Sequence, residues 1–176
     1  MRTVTYGAAC SLDGFIADAS GAIDWLHFSK DVQAHNASYW PTIDTILMGR
    51  ITWEVSVRLQ PADGKATPGI ATYVFSRTLA SLDRKGVELV RGDAVEFVRE
   101  LKRKPGKGIC VMVGGVLGTA LIAGGVVDEV GLNVHPVLLG SGIPLFRDTH
   151  RRVGLKLSET RPMAGGCVLS IYRVKK

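Results

Sequence analysis

Long apolar runs are missing from this chain. No stretch approaches the roughly 20 consecutive apolar residues that a bilayer-spanning helix needs, so no membrane partner is expected. The opening Met1-Arg2-Thr3-Val4 leads into a strand-like pattern without the layout of a secretory signal, and a cytoplasmic protein is expected. Cysteine is scarce. Cys10, Cys110 and Cys167 lie far apart in apolar runs, which excludes both a Cys-x-x-Cys zinc site and a disulfide framework. Buried thiols in a reducing compartment follow. The histidines form no pair at the helical spacing of a metal site, so no metal is expected. Two nucleotide fingerprints are also absent. No Gly-x-Gly-x-x-Gly opens the chain, and no Gly-Lys-Ser/Thr marks a nucleotide-hydrolysing loop.

What is present fits one soluble domain covering residues 1–176. A chain of 176 residues can enclose a good core. The net charge is +6 and the pI about 9.4, which is compatible with a polyanionic partner or a multiply charged cofactor. The basic residues are dispersed. Lys102-Arg103-Lys104 ends a predicted helix, where cations favour the dipole, and Arg151-Arg152 falls in a predicted loop. No aromatic–basic interleaving builds a base-stacking platform, so nucleic acid is not the expected partner.

Strand and helix patterns alternate. Strands are predicted at Val4 to Cys10, Thr45 to Met48, Ile70 to Ser76, Val87 to Val90, Ile109 to Val113 and Glu129 to Val134. Helices are predicted at Ser29 to Tyr39, closed by Pro41, and at Arg50 to about Arg58. A third starts at Asp93, which can cap it with Glu96 in capping-box position, and stops at Pro105-Gly106. A fourth runs from Gly114-Gly115 to Gly124-Gly125. Gln60 to Gly69 reads as a loop. Gly154 to Thr160 and Cys167 to Val174 read as an antiparallel pair joined by Pro162 to Gly166. The expected class is α/β: a mixed, mostly parallel sheet flanked by helices, with an antiparallel C-terminal strand pair.

The most telling segment is Ile46-Leu47-Met48-Gly49-Arg50-Ile51-Thr52-Trp53-Glu54. It reads as a buried strand that turns at Gly49 and opens a helix. Glycine permits close approach of a ligand to the backbone, and the unpaired first amides of the helix favour an anion. Arg50 adds a planar cationic fork suited to phosphate. Gly114-Gly115 is a second such junction, and Ser76-Arg77-Thr78 a third polar cluster at a strand end. All three follow strands directly, so one rim is expected to gather them into a dinucleotide clamp.

The same segment resembles the Met-Gly-Arg-x-Thr-Trp-Glu stretch of dihydrofolate reductase. Ser11-Leu12-Asp13-Gly14-Phe15-Ile16-Ala17 resembles the Ser-Leu-Asp-Gly-x-Ile-Ala stretch of the reductase domain of bifunctional riboflavin-biosynthesis deaminase/reductases. The distal half is similar to that group too, from Val113-Gly114-Gly115 through Val126-Val127-Asp128-Glu129 and His135-Pro136 to Leu138-Leu139-Gly140-Ser141-Gly142-Ile143-Pro144-Leu145-Phe146. The likeness extends from about Thr3 to Val174. It implies a dihydrofolate-reductase-like fold, NADPH as hydride donor and a homodimer. By resemblance, Gly49, Arg50, Ile51 and Thr52 hold the cofactor's phosphates and adenosine. Ser76 and Arg77 contact the 2′-phosphate, and Gly114, Gly115, Val116 and Leu117 form the pyrophosphate loop. Ala9, Ile16 and Ala17 flank the nicotinamide, and the loop from Leu12 to Trp25 covers it.

For the substrate side, Asp24, Trp25, Leu26 and Phe28 are the expected contacts. Asp31 is the nearest match to the carboxylate that helps protonate the pterin in dihydrofolate reductases, and Asp13 could face the nicotinamide pocket. Their bland alternatives are a first-turn helix residue for Asp31 and a turn residue for Asp13. The chain departs from the riboflavin-pathway pattern at Val113, where glutamate is usual, and at Phe15, where arginine is frequent. A charged partner for a phosphoribosyl group is then missing. His135 reads as a structural histidine, with a general acid as the alternative. The expected function is an NADPH-dependent reductase acting on a small pterin- or aminopyrimidine-like heterocycle, possibilities that include 5-amino-6-(5-phosphoribosylamino)uracil. The alternatives are a non-catalytic NADPH-binding protein of the same fold and a basic nucleic-acid binder.

Overall fold

Strand β1 (Val4–Ser11) sets the frame, because its alternating side chains face two different layers. The computed structural model describes residues 1–59, 69–82, 84–112 and 114–176. Most of the loop expected after Gln60, and Val113, therefore lie outside the described residues. The other strands are β2 (Phe15–Ala17), β3 (Ile43–Gly49), β4 (Ala71–Phe75), β5 (Val87–Val90), β6 (Gly108–Met112), β7 (Glu129–His135), β8 (Ile143–Pro144), β9 (Leu155–Pro162) and β10 (Val168–Val174). The helices are α1 (Lys30–Tyr39), α2 (Arg50–Leu59), α3 (Ala94–Arg103) and α4 (Gly115–Ala123).

The main sheet has eight strands in the order β5-β4-β3-β6-β1-β7-β10-β9. The strands from β5 through β7 pair in parallel, and β10 is antiparallel to both β7 and β9. The expected mixed sheet and its antiparallel C-terminal pair are both present. The short β2–β8 pair was not foreseen. With three and two residues, these segments are too brief to show periodicity.

Local chemistry sets the helix starts. Ser29 accepts the Val32 amide and begins α1, which ends in a 3-10 turn, Trp40–Thr42, carrying Pro41. Asp93 accepts the amides of Val95 and Glu96 at 2.8 and 2.9 Å and begins α3. Glu96 turns its carboxylate to Arg99.

One face of the sheet carries a continuous core. Val4, Tyr6, Ala8 and Cys10 of β1 pack with Val98 and Leu101 of α3 and Leu117, Leu121 and Ile122 of α4. Helix α4 lies close to the strand: a Cβ at Gly118 would stand 2.2 Å from the Tyr6 ring. The other face carries two separate cores. Ile43, Ile46, Met48, Trp53, Val74 and Cys110 form one, and Val32, Met163, Cys167 and Leu169 the other. Between them lie the odd-numbered residues of β1 and β7.

Candidate functional site

The three expected junctions meet on one edge. Strands β4, β3 and β6 are neighbours, with Gly49 opposite Phe75 and Leu47 opposite Val111. Gly49-Arg50, Ser76-Arg77 and Gly114-Gly115 consequently all leave the carboxyl ends of adjacent parallel strands. Gly114 has φ +121°, a conformation that side chains disfavour. A Cβ there would stand 3.3 Å from Thr52 Oγ1, so the starts of α2 and α4 lie next to each other, with the Thr52 hydroxyl between them. Their first amides have no intrahelical acceptors, and both dipoles place positive potential at this edge.

Arg50 pairs with Glu54 at 2.7 Å, both side chains being 42% exposed. An exposed pair of this kind contributes little and leaves the guanidinium available. Ser76 Oγ accepts the amides of Thr78 and Leu79 at 3.2 and 3.0 Å, which shapes the turn carrying the exposed Arg77. Ile51 and Val116, each just inside a helix start, are well exposed. Gly115 and Leu117 are buried, with a Cβ at Gly115 only 2.5 Å from the Pro144 carbonyl.

Next to this edge is an open floor. Strand β1 lies well inside the sheet, yet Thr5, Gly7 and Ala9 are only half-buried. Their partners in register on β7 are Glu129, Gly131 and Asn133, also half-buried. A Cβ at Gly7 would meet nothing within 4 Å, and one at Gly131 only Thr5 at 4.0 Å. An accessible face on an interior strand is a cleft, and the absence of side chains gives it a flat bottom. Sequence reading placed Ala9 here but missed Gly7, Gly131 and Asn133. The signal was in the odd positions of β1, where Thr5, Gly7 and Ala9 alternate with the strongly apolar Val4, Tyr6 and Cys10.

The loop expected to cover this cleft is tied down. Leu12 donates its amide to Val137, Leu145 donates to Gly14, and β2 pairs with β8. Ile16 packs against the main core, and Ala17 is buried. Asp18 accepts from Ser20 and Ala22 and folds the tip.

Asp13 and Asp31, the two carboxylates expected near the chemistry, both accept hydrogen bonds from loops. Asp13 accepts from Ser11 Oγ at 2.6 Å and from the amides of Leu139 and Gly140 at 3.2 and 2.8 Å. The Ser11 hydroxyl, aided by those amides, holds its carboxyl below the usual range. It is a fastener between the turn after β1 and the loop before β8. Asp31 is exposed and accepts the Ala164 amide at 2.9 Å, which anchors the β9–β10 turn to α1. Each carboxylate is engaged in joining loops. Of the expected substrate contacts, Asp24 and Phe28 are exposed, while Trp25 and Leu26 are half-buried.

Trp25 instead belongs to a polar cluster at the end of β7. Its ring stands edge-on to His135, with centroids 5.5 Å apart. His135 Nδ1 lies 3.3 Å from the His27 amide and 3.4 Å from Cys167 Sγ. His135 Nε2 lies 3.2 Å from the Asn133 amide group. Burial, and then the proximity of His27, push the His135 pKa down, so the ring is neutral at pH 7. Burial also raises the Cys167 thiol, which stays protonated. Asn133 Oδ1 and the indole nitrogen of Trp25 are buried without partners.

Comparison with known proteins agrees with this architecture. The model of the RibD C-terminal domain family matches residues 2–169. Protein YyaP of Bacillus subtilis (strain 168) is 34% identical over 180 aligned positions, covering 97% of this chain and 94% of YyaP. A protein assigned to riboflavin biosynthesis in Shewanella sp. PV-4 superposes with a TM-score of 0.86 at 25% identity, over 99% of this chain and 100% of that one. Dihydrofolate reductase from Enterococcus faecalis, in complex with NADP(H) and RAB-propyl, shares the fold with a TM-score of 0.71 at 19% identity, over 99% and 97% of the two chains. The chain belongs to the RibD C-terminal domain family and has the dihydrofolate-reductase-like fold.

Proposed function

We propose that the protein is an NADPH-dependent reductase that delivers hydride to a C=N or C=O bond of a small flat heterocycle. One observation carries this reading: the helix starts at Gly49-Arg50 and Gly114-Gly115 share an edge with the open Gly7–Ala9–Gly131 floor. A side chain at Gly114 would press on Thr52 Oγ1, and the bare backbone kept there fits close approach of a phosphate group to the helix amides. Arg50 and the α2 amides would hold phosphate, the α4 amides the pyrophosphate, and Arg77 the 2′-phosphate. When bound, NADPH supplies the hydride. Ala9 and the glycine floor let a flat ring lie against the sheet, and the fastened loop after β1 limits water. With both carboxylates committed elsewhere, water is the proton source in this reading.

A homodimer is part of the proposal. Strand β9 is exposed along all eight residues, including Leu155 and Leu157, and such an edge invites pairing with a second copy. The engaged carboxylates also favour a second reading, a protein that binds NADPH without oxidising it.

The test is titration with NADPH, read by tryptophan fluorescence and repeated with Arg50→Ala and Arg77→Ala. Saturable binding weakened by either change is the expected result. No saturable signal would remove the cofactor from the reading. Binding without NADPH oxidation across pterins and aminopyrimidines would favour the second reading.

A further inference from the structure

The hydrogen bonds around His135 fix more than its own position. The His27 backbone amide donates to Nδ1 at 3.3 Å, so Nδ1 accepts and carries no proton. The Cys167 thiol, 3.4 Å away, is a further donor to that nitrogen. A neutral ring must then carry its proton on Nε2. Nε2–H faces the Asn133 side chain at 3.2 Å, and a donor there requires the amide oxygen opposite it. The oxygen and nitrogen of an asparagine are set by such partners. The structure sets Nδ2 opposite Nε2 and leaves Oδ1 buried without a partner; this tautomer requires the amide turned over, so that the oxygen accepts from Nε2–H and the NH2 takes the unpartnered place.

Trp25, edge-on to the same His135 ring, has its indole N–H buried without an acceptor. Two unpaired buried donors thus flank one histidine. Asn133 stands in register with Ala9, and Gly131 with Gly7. Asn133 thus lies at the end of the open floor, and none of Thr5, Gly7, Ala9, Glu129, Gly131 and Asn133 is cationic.

We propose that Asn133, oriented by His135, is a specificity-determining residue that donates its amide N–H to a carbonyl oxygen of an uncharged planar ring lying on the Gly7–Ala9–Gly131 floor. This rests on the reductase reading and narrows its substrate class. The ring presents acceptors toward β7, and recognition at this end uses no phosphate. His135 is a positioning residue, acting through the amide it turns.

Matched probes test the proposal. Pteridine-2,4-dione presents carbonyl acceptors where 2,4-diaminopteridine presents amino donors. Each is titrated into the full-length protein saturated with NADP+, following tryptophan fluorescence. The wild type is expected to prefer the dione by about ten-fold, the scale of one hydrogen bond. Asn133→Asp keeps an oxygen opposite His135 Nε2–H and exchanges the unpartnered NH2 for an acceptor, so the preference should invert. Equal affinities in the wild type, an unchanged ratio in the variant, or binding of neither ring by a protein that does bind NADP+ would each overturn the proposal while leaving the cofactor reading intact. Failure to bind NADP+ at all would remove the reductase reading and the proposal with it. Nitrogen-15 NMR of the histidines supplies a readout that needs neither ligand nor variant. The Nε2–H tautomer of His135 is expected, and Nδ1–H would overturn the inference.

Discussion

Alternate residues of β1 occupy opposite environments. Val4, Tyr6, Ala8 and Cys10 are buried beneath α3 and α4, whereas Thr5, Gly7 and Ala9, one peptide away in each case, stay half open. On the closed side each buried aliphatic side chain contributes about 1.5–3 kcal/mol, and Gly118 is needed so that α4 can approach Tyr6. On the open side small residues leave space that no neighbour fills. Glycine thus serves two ends in one sheet: close packing of a helix on one face, and an unfilled floor on the other. The strand that holds the fold together is also the strand that displays the site.

That contrast breaks or survives on a pair of equal substitutions. Gly118→Val would drive a side chain into the Tyr6 ring, where even a Cβ would stand at 2.2 Å. It should cost about 3 kcal/mol, at the upper end for overpacking, measured by urea denaturation. Gly131→Val meets only Thr5 at 4.0 Å and should change stability by less than about 0.5 kcal/mol, while abolishing binding of a planar ring to the NADP+-loaded protein. Equal destabilisation by the two would show that the second face is packed like the first.

The proposed cofactor edge allows a finer division along the same sheet. Arg50 and Arg77 leave neighbouring strand ends, but only Arg77 is assigned to the 2′-phosphate. Arg77→Ala should weaken NADPH about ten-fold, the scale of a charge-assisted hydrogen bond, and leave NADH unchanged. Arg50→Ala should weaken both cofactors by a similar factor. Loss of discrimination in Arg50→Ala rather than Arg77→Ala would exchange the two assignments.

The parts of this molecule that were legible in its sequence are those where local pattern and global position coincide. Asp93 with Glu96 marked the start of α3, Met48-Gly49-Arg50 marked the β3–α2 junction, and the Gly-Gly pairs marked both ends of α4. The three strand-end turns expected on one edge do lie there, because parallel neighbours must place such turns together. The β2–β8 pair was hidden by its length. The hydrogen bonds of Asp13 and Asp31 were hidden because the amides that reach them, those of Leu139, Gly140 and Ala164, are all more than a hundred residues away. Asn133 was hidden for a related reason. Its significance comes from His27, a residue of another segment, which determines the His135 tautomer through a backbone amide.

The smallest expected effect concerns pH and separates the polar end of the cleft from its glycine floor. The folded-state pKa of His135 is lowered, chiefly by burial and then by His27, against about 6.5 in an unfolded chain. The unfolded state therefore binds the proton first as the medium is acidified. The stability associated with the neutral ring is fully present above about pH 6.5 and is lost as pH falls through the lower folded value. Protonation also places a hydrogen on Nδ1, opposite the His27 amide and the Cys167 thiol, and so breaks the arrangement that orients Asn133. His135→Gln can retain a donor toward Asn133 but does not titrate. Urea midpoints at pH 7.5 and 5.5 should fall further in the wild type than in this variant, and the dione preference should fade on the same side of neutrality in the wild type alone. A wild-type midpoint that falls no further than the variant's would mean that His135 is not the group that titrates, and the neutral-ring geometry assigned to Asn133 would lose its support.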